Sequence, residues 1–170
     1  MRVLWLIGMM GAGKTTVGEL IARRLGLDLI DTDSLVESVS GLSISAIWER
    51  DGESTFRDLE SREIERIAAD GRDCVVATGG GAVLRPGNVE TMRRAGIVVW
   101  LRADPPVLAS RVHGSDTRPL LRDGPGGDRL AALLSDRDAD YASAAHHQVD
   151  TNSKTATEVA REVMELWNGS

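Results

Sequence analysis

Apolar positions along the chain fall into two alternating patterns. Short unbroken runs occur at Val3 to Ile7, Leu27 to Ile30, Cys74 to Ala77 and Ile97 to Leu101, with a weaker one around Gln148 to Asp150. Runs of this length bounded by turn residues predict buried strands. Between them the apolar spacing widens to that of a helix. Val17, Leu20, Ile21 and Leu25 form one stripe, closed by Gly26. Leu35, Val36 and Val39 lead to Gly41, and Ile44, Ile47 and Trp48 lead to Gly52. A longer helix is predicted over 54–70, ending at Gly71; glycine just past a periodic stretch is the usual stop. Pro86 opens a helix that Gly96 stops, Pro105-Pro106 starts another, and a further one runs from Arg129 to about Ala144. The last helix carries a capping box, Thr155 with Glu158, ahead of Val159, Val163 and Leu166.

Strands alternating with helices predict an α/β fold, a parallel sheet covered by helices on both faces. Ligands bind such sheets at the carboxyl ends of the strands. That singles out the loops at 8–15, 31–33 and 78–82. Residues 114–128, GSDTRPLLRDGPGGD, are rich in glycine, proline and charge, and read as a mobile loop.

Composition narrows the class. The 170 residues suit one domain with a substantial core, and 42% hydrophobic with 27% charged is ordinary for a soluble globular protein. A net charge of -6 argues against nucleic acid or an anionic membrane as partner, since both require a basic face. One cysteine, Cys74, excludes an internal disulfide framework and fits a reducing cytosol. No run approaches the roughly 18 apolar residues of a membrane-spanning helix. The N-terminal apolar run leads into a glycine loop rather than a cleavage site, so a cytoplasmic protein is expected. Only Lys14 and Lys154 are lysines among 20 basic residues, which hints that Lys14 needs a compact ammonium.

Lys14 belongs to the strongest chemical signal. Gly8-Met9-Met10-Gly11-Ala12-Gly13-Lys14-Thr15 fits the phosphate-loop pattern GxxxxGK[ST] and lies between a predicted strand and a predicted helix. The glycines aim backbone N–H groups at phosphate oxygens, and the helix N-terminus adds a favourable dipole. Lys14 then reaches the β- and γ-phosphates, and Thr15 places its hydroxyl on Mg²⁺. Asp31 and Asp33 follow the second strand. Two carboxylates beside a triphosphate suggest one holding metal and one positioning or deprotonating an acceptor hydroxyl. Asp33 reads equally well as a helix cap.

Other residues carry weaker signals. In FRDLESREIERI, Glu60 falls on the apolar face and Arg57 at its edge, three apart and able to pair. Glu63 falls near the same stripe, so periodicity does not single out Glu60. Arg118 lies in the glycine-proline loop, where lids over triphosphates commonly carry arginine. Arg137, in DRDADY, has acids on both sides and reads on its own as part of a surface salt-bridge network. His146-His147 is no metal signature, because neighbours on a strand point to opposite faces. A second glycine loop, Gly79-Gly80-Gly81, follows the third strand.

Together, GMMGAGKTTVG, DTD at 31–33, FRDLE at 56–60, TGGGAV at 78–83, RPLL at 118–121, RDADY at 137–141 and VDTN at 149–152 resemble the shikimate kinase family in order and spacing. The resemblance covers nearly the whole chain. It implies a P-loop NTPase three-layer sandwich with a five-stranded parallel sheet, a helical substrate-binding insert at 34–60 and a mobile lid at about 112–128. It implies ATP-dependent phosphorylation of shikimate to shikimate 3-phosphate by a monomer. Nucleotide would be bound by Gly11, Ala12, Gly13, Lys14, Thr15 and Thr16, with Arg111, Arg118 and Lys154 on its flanks. Thr15 and Asp31 would hold Mg²⁺. Asp33, Arg57, Glu60, Gly79, Gly80, Gly81 and Arg137 would bind the acceptor: Arg57 and Arg137 on its carboxylate, Glu60 orienting Arg57. Lys14, Asp33 and Arg118 would be the catalytic groups. Ile44, Trp48 and Phe56 would lie near the ring.

Rival readings are a kinase for gluconate or a close shikimate analogue, and a nucleoside-monophosphate kinase. A non-catalytic nucleotide-binding module is a further class. The absence of an N-K-x-D signature counts against a GTPase switch, and an inactive relative would have lost Lys14, Asp33 or the arginines.

Overall fold

The computed structural model describes residues 2–112 and 126–169. Five parallel strands form one sheet in the order β2-β3-β1-β4-β5. They are β1 (Val3–Ile7), β2 (Asp28–Asp31), β3 (Cys74–Ala77), β4 (Gly96–Arg102) and β5 (His147–Asp150). All five residues of β1 and all four of β3 are buried. An unbroken apolar run is what a strand covered on both faces requires. At the edge, β2 exposes Asp28 and only half-buries the rest. Three strands differ in their limits from the sequence reading: β2 is shifted by one residue, β4 is longer by one at each end, and β5 starts one residue earlier. β2 extends to Asp31 because that residue pairs with Ala77, and β4 reaches back to Gly96, opposite Val3.

The helices are α1 (Lys14–Leu25), α2 (Thr32–Ser40), α3 (Ile44–Asp70), α4 (Pro86–Ala95), α5 (Pro105–Val112), α6 (Gly126–Ala144) and α7 (Ala156–Asn168). α1 packs on α7 and on β1, β2 and β3; α3 packs on α4, and α4 and α6 both contact β4. This is the division of helices between two faces that right-handed crossovers impose on the strand order. The helices expected on either side of Gly52 form one element, α3, broken at that glycine, whose φ of 83° and ψ of 165° are not helical. Only glycine takes that conformation without strain. The capping box of α7 is present, Thr155 and Glu158 each receiving the other's backbone N–H.

The main core joins the sheet to both helix layers, with Leu4, Trp5, Leu6 and Ile7 fully buried. Val36, Ile47 and Phe56 form a separate small core, joined by Trp48 and Ile44. The segment spanning α2 and the first half of α3 therefore has packing of its own. Among the described residues, no helix is long and apolar enough to cross a membrane.

Candidate active site

β1 and β3 lie side by side, with Leu6 opposite Ala77. The chain leaves β1 toward one face of the sheet and β3 toward the other. A crevice opens between connections that part in this way. The two glycine loops emerge there together, and a cavity of about 500 Å³ lies between them and α2–α3.

One half of the cavity is built by the first loop. Gly8, Gly11 and Gly13 have φ of 141°, 81° and 89°, and Gly13 is the N-cap of α1. Such backbone turns N–H groups inward, next to the positive end of a helix. Lys14 Nζ donates to the carbonyls of Gly8 and Met9 at 2.6 and 2.9 Å, folded over its own loop. The Thr15 hydroxyl donates to Asp31 Oδ2 at 2.8 Å. Asp31 Oδ1 accepts from the N–H groups of Asp33 and Ser34. Asp31 is therefore the cap of α2. Asp33 sits inside the first turn and lines the cavity. Thr15 and Asp31 present two hard oxygen donors side by side, the kind Mg²⁺ takes when phosphates and water complete its shell. Among the described residues, no group of three or more His, Cys, Asp or Glu is placed to hold a metal.

Thr16 and Arg111 line the same half. Arg111 donates to the hydroxyl and carbonyl of Thr151 at 3.0 and 2.7 Å, which fixes it to the loop after β5. Ala12 is buried within the first loop. Lys154 pairs with Glu162 at 2.5 Å and is not among the lining residues. Arg118 and most of the expected lid lie outside the described residues.

The other half is cationic. Arg57 and Arg137 both line the cavity, and each is 7% exposed. Arg57 donates to Glu60 Oε2 at 2.8 Å and to the half-exposed Glu53 at 3.2 Å. Burial alone would lower the Arg57 pKa, but Glu60 and then Glu53 outweigh it and raise it. For Glu60, burial pushes the carboxyl above its usual range, Arg57 opposes, and Asp33 adds to the push. Glu63 pairs with Arg66 instead, so the arginine's buried partner is Glu60. Among the described residues, Arg137 takes no part in a surface salt-bridge network. Its Nη1 donates to the Gly80 carbonyl at 3.4 Å, the guanidinium also interacts with the Tyr141 hydroxyl, and no described carboxylate pairs with it. A guanidinium this buried with no described counter-charge is suited to an anion from outside.

Gly79, Gly80 and Gly81 run between these groups. A Cβ on Gly79 would stand 2.6 Å from Asp33 Oδ1 and closer still to Glu60 Oε1; one on Gly81 would stand 2.5 Å from Arg57 Cζ. The Gly79 N–H is already taken by the buried Thr32 hydroxyl at 2.8 Å, so it is not offered to a ligand. Trp48 and Phe56, 6.1 Å apart and tilted by 51°, close the apolar wall with Ile44.

Sequence reasoning missed Thr32, Glu53 and Tyr141. The Tyr141 hydroxyl donates to the Gly80 carbonyl. A signal was present for it: Leu134, Arg137, Tyr141 and Ala144 are spaced three, four and three apart, and all four are buried. That stripe places Arg137 on the inward face despite the acids around it. Thr32 and Glu53 carry no comparable signal.

A phosphate loop facing an anion-accepting pocket across the switch point of this sheet defines a P-loop phosphotransferase acting on a small acceptor. The chain belongs to the shikimate kinase family, whose model, described as Shikimate kinase, matches residues 10–168. It is 45% identical over 162 residues to the shikimate kinase of Symbiobacterium thermophilum, covering 94% of this chain and 92% of that one. Against the shikimate kinase of Gloeobacter violaceus it is 50% identical over 142 residues, 83% of this chain and 79% of the relative. Among solved structures, it matches the shikimate kinase of Acinetobacter baumannii in complex with shikimate. The TM-score is 0.94 at 35% identity, covering 99% of this chain and 94% of the other. The Aquifex aeolicus enzyme matches with a TM-score of 0.84 at 32% identity, over 99% of this chain and 97% of that one.

Proposed function

We propose that this chain transfers the γ-phosphoryl group of ATP to a ring hydroxyl of shikimate, giving shikimate 3-phosphate. The observation that carries the reading is the meeting of two buried guanidiniums, Arg57 and Arg137, at the Gly80–Gly81 backbone, across one cavity from the phosphate loop. Shikimate is a small anion bearing hydroxyls. Arg57, oriented by Glu60, and Arg137 hold its carboxylate, Asp33 accepts from the reacting hydroxyl, and the glycines leave room for the ring. Residues 34–60 act as the acceptor-binding insert, with Ile44, Trp48 and Phe56 against the ring.

On the donor side, backbone N–H groups of Gly11 to Thr16 cradle the phosphates. Lys14 leaves the Gly8 and Met9 carbonyls for the β- and γ-phosphate oxygens. Thr15 and Asp31 would hold Mg²⁺, which would neutralise the developing phosphate charge. Arg111 flanks the base, with Lys154 beyond it. Arg118, on the lid at 112–128, adds charge at the transferring group. The acceptor oxygen bonds to phosphorus as the bond to the ADP oxygen breaks, and the hydroxyl proton passes to Asp33. Positioning and charge neutralisation account for such a transfer. One chain supplies every group named, so a monomer suffices, and dependence on ATP places the reaction in the cytoplasm.

A coupled ADP-release assay with shikimate, gluconate and nucleoside monophosphates as acceptors tests the reading. Turnover of shikimate with little turnover of the others is expected. Good turnover of gluconate or of a nucleotide acceptor, with none of shikimate, overturns it.

A further inference from the structure

We propose that Tyr141 is a positioning residue that keeps Arg137 available to the anionic group of the acceptor. Tyr141 is 1% exposed and stands between the two glycine loops. Its ring stacks on Trp100 of β4, with centroids 5.6 Å apart and planes 20° apart. Its hydroxyl donates to the Gly80 carbonyl and rests 3.4 Å from the sulfur of Met9. The phenol therefore touches the donor loop and the acceptor loop at once. Burial pushes its pKa up, so it remains a hydrogen-bond donor throughout the neutral range.

The Gly80 carbonyl has a second donor in Arg137 Nη1, at 3.4 Å. That is long for a hydrogen bond, and the phenol makes the shorter one. Two donors one turn apart on α6 thus compete for one oxygen, and Tyr141 holds it. Without the phenolic O–H, the half-buried Gly80 carbonyl would be poorly satisfied, with Arg137 as its remaining donor among the described residues. A half-buried carbonyl left short of a donor favours any donor within reach, so the guanidinium is drawn onto the loop and away from the cavity. The inference rests on the proposed function, in which Arg137 grips a carboxylate, and adds what keeps it free to do so.

The test compares shikimate with its uncharged methyl ester in steady-state kinetics of the full chain. Tyr141→Phe should raise the KM for shikimate roughly tenfold, the size of one lost hydrogen bond. It should leave the KM for ATP and the kcat/KM for the ester within about twofold of wild type, a margin set by additivity at uncoupled sites. In an Arg137→Ala background, the same substitution should change nothing further, since both act on one interaction. Equal losses for shikimate and ester, or an undiminished effect in the Arg137→Ala background, would show that Tyr141 only packs, and would overturn the inference. A raised KM in Arg137→Ala alone with none in Tyr141→Phe does the same while sparing the proposed function. An unchanged KM in Arg137→Ala removes the proposed carboxylate grip itself.

A second measurement needs no substitution that risks the fold. Tyr141 is the chain's single tyrosine, so growth on 3-fluorotyrosine places one fluorine reporter there. Its resonance should shift when shikimate is added and stay in place with the ester. No shift with shikimate overturns the inference.

Discussion

The two glycine loops look alike in sequence and use glycine for opposite reasons. In Gly8 to Thr15 the requirement is conformational: Gly8, Gly11 and Gly13 all have positive φ, where a side chain strains the backbone itself. In Gly79 to Gly81 no residue takes the left-handed conformation, and the requirement is volume. A methyl on Gly79 or Gly81 would occupy the space of Asp33, Glu60 or Arg57. One loop is shaped to surround a phosphate with backbone. The other is thinned so that charged side chains can converge behind it. A GGG triplet therefore signals crowding by neighbours as readily as it signals a flexible turn.

The largest expected effect tests whether the halves of the cavity are separate in function. Asp33 lines the cavity and is relieved of capping duty by Asp31. Asp33→Asn keeps the shape and removes the base. Turnover should fall on the order of 10²–10⁴-fold, the usual contribution of a positioned acid or base. ATP affinity, measured by calorimetry, should stay within about threefold, because no phosphate contact is altered. A wild-type rate would return Asp33 to a structural role. A large loss of ATP affinity would show that the halves are coupled through the Asp31–Thr15 pair.

Next in size is a pair of matched substitutions. Gly81→Ala drives a methyl into the Arg57 guanidinium, which Glu60 holds in place and which cannot easily yield. Displacing a charge-assisted contact should raise the shikimate KM at least tenfold and leave ATP binding alone. Gly13→Ala has open space around its Cβ, with only Val17 Cγ2 near at 3.9 Å, but a φ of 89°. It should strain the loop by about 1–2 kcal/mol and weaken ATP instead. If both variants damage both substrates equally, the distinction between volume and conformation does not carry into function.

Much of this was readable beforehand. The strands announced themselves as apolar runs, and the phosphate loop needed only its spacing and its strand–helix context. What spacing could not decide was whether Asp33 caps α2 or faces the site, because aspartate suits both places. That depends on rotamer, and only the bonds from the Asp33 and Ser34 amides to Asp31 settle it. The place of Arg137 came from the family resemblance, since its local sequence pointed to a surface salt-bridge network. Local charge in DRDADY outweighed helical phase, although Leu134, Tyr141 and Ala144 put that arginine on the inward face. The convergence on Gly79 to Gly81 was least legible, since it joins α2, α3 and α6 from three distant parts of the chain.

The smallest effect makes the sharpest check on the comparison. Gly80 lies between two crowded neighbours, yet a Cβ there would meet Gly8 O and Met10 N at 3.7 Å and the Tyr141 hydroxyl at 3.8 Å. Those are ordinary contacts across the gap between the loops. With no positive φ to strain, Gly80→Ala should gain slightly from a less flexible unfolded chain, by about 0.4–1 kcal/mol in a thermal melt. Its kcat/KM should stay within about threefold of wild type, as expected where no contact is lost. A collapse in kcat with stability retained would mean that the two loops approach each other during turnover and use the space the methyl fills. The volume rule would then extend to all three glycines, with the third set by the phosphate loop itself rather than by a charged side chain.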